Sequence, residues 1–295
     1  MPKKATIVSG IALILLLALI MTVISVSGTK KDPDNIMPER VSVFFPELNE
    51  IRIMRYNDFL SGCAAGMFPP GIETENKAGP EAIRAVVIAA NSRAAYQLKN
   101  KDPSKSFGAD FTVGDDFPYT DTDREDITQA VNQQLPLLTY EGEPINAQTC
   151  AISAGVTDAA APYSPSVPLF CDVSAKGYES VTAFTYETVR RALHQNAVSR
   201  NFEEWFYDPV YAETGTLTYI GFCNTRVTGA ALRKALDLRS TAITVEYREE
   251  KFYFHCKGLG ENRGMSVNAA MFLEENGKTA EEILKLFYPG CELKQ

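Results

Sequence analysis

A chain of 295 residues, 45% hydrophobic and 22% charged, has material for one large domain or two modest ones around a hydrophobic core. Its net charge of -8, with no basic run, gives it no obvious way of neutralising a phosphate backbone, which argues against nucleic acid as a partner. Six cysteines without C-x-x-C spacing and only two histidines, His194 and His255, argue against a zinc finger or His-based metal site, so no metal and no cofactor is expected.

Taken in chain order, Met1-Pro-Lys-Lys precedes an apolar run from about Ile7 to Val26. That run matches the ~20 residues needed to span a bilayer and exceeds the ~7–15 apolar residues of a signal peptide. Residues 1–28 are therefore read as an uncleaved N-terminal transmembrane helix, with the bulk of the chain outside the cell membrane. Residues 29–39, polar and holding Pro33 and Pro38, read as a linker, and 40–295 as the extracytoplasmic domain. Two extended runs come next, Val41–Phe45 and Ile51–Tyr56, and Asp58 is placed to cap a short helix reaching Ala65.

After the turn Pro69-Pro70-Gly71, the alanine-rich stretch Pro80–Tyr96 is the strongest helix. Proline and Glu81 suit its first turn, and the apolar residues from Ala85 to Ala90 nearly encircle it. Residues 100–122 read as irregular, Arg124–Gln133 as a helix, and Leu137–Ala147 as a hairpin turning at Gly142. A helix over Thr185–Leu193 and strands over Leu217–Phe222, Ala242–Tyr247 and Lys251–Cys256 complete the middle. The end reads Gly258-Leu-Gly-Glu-Asn-Arg-Gly-Met-Ser-Val-Asn-Ala-Ala270, a glycine-rich turn feeding a helix, then a last helix from Ala280 that stops at Pro289-Gly290. Ser266 is expected to cap the first of these helices, and Thr279-Ala-Glu-Glu282 is a capping box for the second. Without a regular βαβ rhythm, the whole reads as an α+β domain, with mixed or antiparallel sheets around the central buried helix.

Four segments, in order, carry a resemblance to the stage II sporulation protein D family, which is related to the amidase enhancers of bacterial walls. Tyr56-Asn-Asp-Phe-Leu-Ser-Gly-Cys-Ala-Ala-Gly-Met67 resembles the family's Tyr-Leu-x-Gly-Val-Val-Ala-Ala-Glu-Met. Glu81-Ala-Ile-Arg-Ala-Val-Val-Ile-Ala-Ala90 resembles Glu-Ala-Leu-Lys-Ala-Gln-Ala-Val-Ala-Ala. Leu138–Ala147 with Ser153-Ala-Gly-Val-Thr157 resembles the family's hairpin and its Ser-x-Gly-x-Thr turn. The closing segment resembles Gly-His-Gly-Val-Gly-Met-Ser-Gln-x-Gly-Ala and a downstream Glu-Ile-Leu-x-x-Tyr-Tyr-Pro-Gly.

The resemblance implies a protein of sporulation or wall remodelling that acts on peptidoglycan glycan strands, as a lytic transglycosylase does. One protonated carboxyl would donate to the glycosidic oxygen, the sugar's own 6-hydroxyl would attack, and the carboxylate would return as base. The implied substrate-binding set is Gly66, Met67, Gly258, Gly260, Glu261, Gly264, Met265 and Ser266. The family's acid, however, falls on Gly66, its histidine on Glu261 and its glutamine on Val267. Gly108–Tyr119 holds none of the family's metal-associated cysteines, so the resemblance carries no metal here. The resulting reading is a binder with lost or reduced activity. Glu261 as a substitute acid, and a scaffold for a partner cell-wall amidase or engulfment complex, are the alternatives.

Other groups have two readings each. Glu73 and Glu75 are loop carboxylates near the lost acid, and Glu81 suits a helix dipole. His255 and Cys256, adjacent in a strand, point to opposite faces and cannot share a site. Trp205 with Phe202, Phe206 and Tyr207 forms either a sugar-stacking platform or core. The cysteines form one or two disulfides or serve as small buried side chains.

Overall fold

The computed structural model describes residues 37–68, 72, 77–101, 108–114, 117–194 and 201–295. The expected membrane helix, most of the linker, the Pro69-Pro70-Gly71 turn, Glu73 and Glu75 lie outside the described residues. Among the described residues no helix is long and apolar enough to cross a membrane. The chain divides into two compact units, Met1–Pro38 and Glu39–Gln295.

The second unit is α+β, with several small sheets. It opens with a hairpin of β1 (Arg40–Phe45) and β2 (Glu50–Arg55), and β3 (Phe111–Thr112) runs parallel to β1 on its other side. β2 feeds directly into α1 (Tyr56–Gly66). Arg55 is therefore the capping position, and it offers no acceptor. Asp58, expected as the cap, lies inside the first turn and instead accepts from Arg55 Nε at 2.9 Å and Nη2 at 2.8 Å.

α2 (Pro80–Lys99) is the central helix, buried from Ala82 to Ala95 apart from Arg84. It packs against α1, α3 (Glu125–Val131) and the hairpin β4 (Leu137–Tyr140) with β5 (Glu143–Pro144). In that hairpin Glu141 and Gly142 have φ of 53° and 85°, the two left-handed residues that a two-residue primed turn demands. β14 (Glu292–Lys294) pairs with the far edge of β4.

A second core lies between two antiparallel sheets. One is β11 (Ala242–Arg248), β12 (Lys251–Lys257) and β7 (Glu179–Thr185). The other is β10 (Thr225–Thr228), β9 (Leu217–Phe222) and β8 (Phe206–Tyr211). α5 (Tyr186–Ala192), capped by Thr185, and α6 (Gly229–Leu236), capped by Thr228, pack with them. Trp205 lies in this core at 1% exposure, stacked on Phe252 at 5.4 Å and edge-on to Phe222 at 5.8 Å. Trp205, Phe202 and Phe206 are thus core and not a sugar platform, because Phe222 and Phe252, remote in sequence, close over the indole. Only Tyr207 turns outward, at 41% exposure.

The C-terminal segment returns to the central helix. β13 (Met265–Ser266) pairs in parallel with β6 (Thr149–Cys150) and leads into α7 (Val267–Glu275) and α8 (Ala280–Phe287). Ser266 caps α7 by accepting from Ala269 N, and Thr279 with Glu282 forms the capping box of α8. Two carboxylates then cap across elements. Glu274 of α7 accepts from the backbone N–H groups of Glu81 and Ala82 at 2.9 and 3.1 Å, and Glu81 accepts from Ala280 N at 2.6 Å. Glu81 thus serves the N-terminus of α8 while Glu274 serves that of α2, each placing negative charge at the positive end of a helix.

Candidate functional site

The closing loop is shaped by what it touches. Gly258, Gly260 and Gly264 have φ of 79°, 115° and 68°. A Cβ at Gly258 would lie 2.6 Å from the Ile152 carbonyl oxygen, and one at Gly260 would lie 3.0 Å from Cys150 Cβ. At Gly264 it would overlap the Gln148 carbonyl, 2.5 Å from its carbon. The glycines therefore let the loop lie on residues 148–153, with Met265 N donating to Gln148 O at 3.0 Å. Tyr288, fully buried, donates its hydroxyl to the same carbonyl and accepts from Met265 N. Asn262, buried and left-handed, accepts from Ala154 N at 2.8 Å and donates to Val156 O at 2.9 Å.

Above this scaffold lies a cleft of about 1180 Å³. Gly66, Met67, Gly260 and Glu261 line it together. Gly258, Gly264, Met265 and Ser266 do not, and the last two are fully buried. The cleft also takes in Arg93 and the α6 residues Ala230, Ala231 and Arg233. Sequence reasoning missed these. Arg93 was detectable as an arginine on the apolar face of the central helix; its buried guanidinium sits 5.6 Å from the Phe117 ring centroid. α6 carries no such signal.

At Gly66 the chain segment Phe117-Pro118-Tyr119 crosses α1. A Cβ on Gly66 would overlap the Pro118 carbonyl, 2.6 Å from its carbon and 2.9 Å from Tyr119 N. One turn earlier, a Cβ on Gly62 would lie 2.7 to 2.8 Å from ring atoms of Tyr119. Phe117 anchors this strap against Phe59 and Phe111, and Thr120 N donates to Gly62 O at 3.2 Å. Burial, with Asp121 nearby, pushes the Tyr119 phenol up to about 12, so it stays neutral at ordinary pH. Glu261, half-buried, is the one carboxylate of the predicted set that lines the cleft.

Beneath the loop, Asp172 on α4 (Phe170–Val173) is completely buried and was not foreseen. It accepts from Ser153 N and from Asn268 Nδ2, both at 2.8 Å, tying the Ser153–Thr157 turn to α7. Burial raises its pKa, opposed by the bonds from Ser153, Asn268 and Ser266. A folded pKa above the unfolded value means that the native state binds the extra proton. Stability from this group is then fully present below the unfolded value, ~3.9, and declines as pH rises through the folded one. Asp172→Asn should accordingly remove this one loss, so that the melting temperature of the variant relative to the wild type rises with pH just above that value. Melting curves of the two proteins that stay parallel would refute it.

All six cysteines are free thiols, with Cys63, Cys150 and Cys256 buried. Burial holds the Cys63 thiol well above its ordinary pKa, which makes it inert as a nucleophile. His255 turns outward, 3.5 Å from Glu246, while Cys256 turns inward, on the opposite face of the strand. Among the described residues no three Cys, His, Asp or Glu side chains converge to hold a metal ion.

No family model matches the chain. Over 190 residues, 59% of its length, it is 26% identical to stage II sporulation protein D of Bacillus subtilis (strain 168). Over 179 residues, 57% of its length, it is 27% identical to stage II sporulation protein D of Bacillus amyloliquefaciens. The chain spans about half the length of these curated relatives, 53% and 51% respectively. It is a distant, divergent relative of stage II sporulation protein D.

Proposed function

We propose that this chain is a membrane-anchored, extracytoplasmic wall protein of sporulation that binds peptidoglycan glycan strands with lytic activity lost or greatly reduced. The distant relationship to stage II sporulation protein D supports the setting. The carrying observation is at Gly66, where the family's acid would stand. Glycine has no proton to give, and the Pro118 carbonyl fills the space a side chain would need. Glycosidic cleavage needs a protonated carboxyl at the bridging oxygen. A cleft with glycine and a backbone carbonyl at that place can hold a strand without cutting it.

A second reading keeps the activity. Glu261 lines the same cleft as Gly66, so it could donate the proton in place of the lost acid. The full chain, purified in detergent and incubated with glycan strands freed of peptide, separates the two. We expect strand binding and no anhydro-muropeptides. Release of those products, abolished in Glu261→Gln, would overturn the binder reading and make Glu261 the acid. Absence of both binding and product would leave the chain as a scaffold for a partner hydrolase and sink both readings.

A further inference from the structure

We propose a second saccharide-binding surface on the outer face of the sheet β10–β9–β8, where a glycan ring stacks on Tyr207 and is hydrogen-bonded by Arg226. The inference rests on the glycan reading of the cleft and extends it to a longer strand. The inner face of this sheet is core, with Ile220 and Phe222 buried. Its outer face is set by the register: Tyr207 and Arg226 flank Gly221 from the two neighbouring strands, and Val210 and Thr228 flank Tyr219.

Gly221 determines how the tyrosine lies. A Cβ there would stand 2.5 to 2.8 Å from three atoms of the Tyr207 ring. The ring therefore rests on the bare backbone of the glycine, and the side chain stays 41% exposed to solvent. Beside it, the Arg226 guanidinium sits 4.7 Å from the Tyr219 ring centroid, held by the ring's negative face. That contact holds the guanidinium over the ring and leaves its N–H donors for a ligand. An exposed aromatic ring and a guanidinium flanking the same glycine match a pyranose. The sugar's C–H face packs on the ring while its hydroxyl or acetamido oxygens accept from the arginine.

Size argues for a narrow polymer over a protein. Strands of 6, 6 and 4 residues make up the sheet. At ~4.8 Å between strands and ~3.3 Å per residue, the face covers on the order of 200 Å². A stable protein partner covers roughly 800 Å² on each side. Position argues the same way. β10 ends at Thr228, which accepts from Ala231 N at 3.1 Å to cap α6, and Ala230 and Ala231 of that first turn line the cleft. A strand leaving the cleft past the start of α6 reaches β10 next.

The test compares two ligands on the full chain in detergent: long glycan strands freed of peptide, and chitin oligosaccharides short enough to fill only the cleft. Tyr207→Ala and Arg226→Ala should each weaken long-strand binding roughly 3- to 10-fold. Binding of the short oligosaccharide should be unchanged, and Tyr207→Phe should keep the long-strand affinity. Both side chains are exposed, and matched melting curves check that the variants fold. Wild-type affinity for long strands in both alanine variants overturns the surface, as does an equal loss for short and long ligands. A wild-type chain that binds neither ligand overturns the cleft reading itself and this inference with it.

Discussion

Gly66→Glu should restore the family's carboxyl without restoring cleavage, and should lower the melting temperature. The new Cβ would overlap the Pro118 carbonyl and press on Tyr119 N at 2.9 Å, both backbone atoms that cannot swing aside like a side-chain tip. The strap is anchored by Phe117 in the aromatic cluster and by the Thr120–Gly62 hydrogen bond, so making room means detaching it. Overpacking of this kind costs about 3 kcal/mol. In a domain of this size that is roughly 6–12 °C of melting temperature. Calorimetry and the anhydro-muropeptide assay read the two halves of the result. A variant that melts with the wild type and releases product would show that the strap yields and that only the carboxyl was missing.

Gly264→Ala should be at least as damaging, although Gly264 does not line the cleft. The residue has φ of 68°, and its Cβ would overlap the Gln148 carbonyl that both Met265 N and the Tyr288 hydroxyl use. Left-handed backbone costs an alanine roughly 1–2 kcal/mol, and the overlap adds about 1–3 kcal/mol. Gly277→Ala is the control, because it shares a positive φ of 80° but has nothing within 4 Å of its Cβ. Urea unfolding should show a drop in midpoint for Gly264→Ala about twice that for Gly277→Ala or more. Equal drops would mean that the loop's glycine is held by conformation alone and not by its seat on the Gln148 carbonyl.

Much of the architecture is legible in the sequence because its signals are local. Alanine density and Pro80 announce the central helix, and Thr279-Ala-Glu-Glu282 announces the last one. Three features are not legible, for one shared reason. The strap over Gly66, the aromatic shell around Trp205 and the bonds to Asp172 all join residues far apart in the chain, and no periodicity records such meetings. Gly66 is visible as the loss of an acid, but not as a seat for the Pro118 carbonyl. β8 is hidden for a different reason: Asp208 has φ of 47°, and the register against β9 shifts on either side of Val210, so no alternation survives. Asp58 misleads because a strand that runs straight into a helix leaves the capping position to Arg55.

The crossed caps of Glu81 and Glu274 bear on the order in which the chain can fold. Their hydrogen bonds close loops of 192 to 199 residues, so the first turn of the central helix waits for partners near the far end. A polypeptide emerging from its N-terminus holds α2 uncapped until α7 and α8 arrive. Contacts of such long sequence separation slow the search for the native state and leave the nearly complete chain exposed to aggregation meanwhile. Deleting the last two helices would therefore strip the opening turn of α2 of its carboxylate as well as shortening the protein.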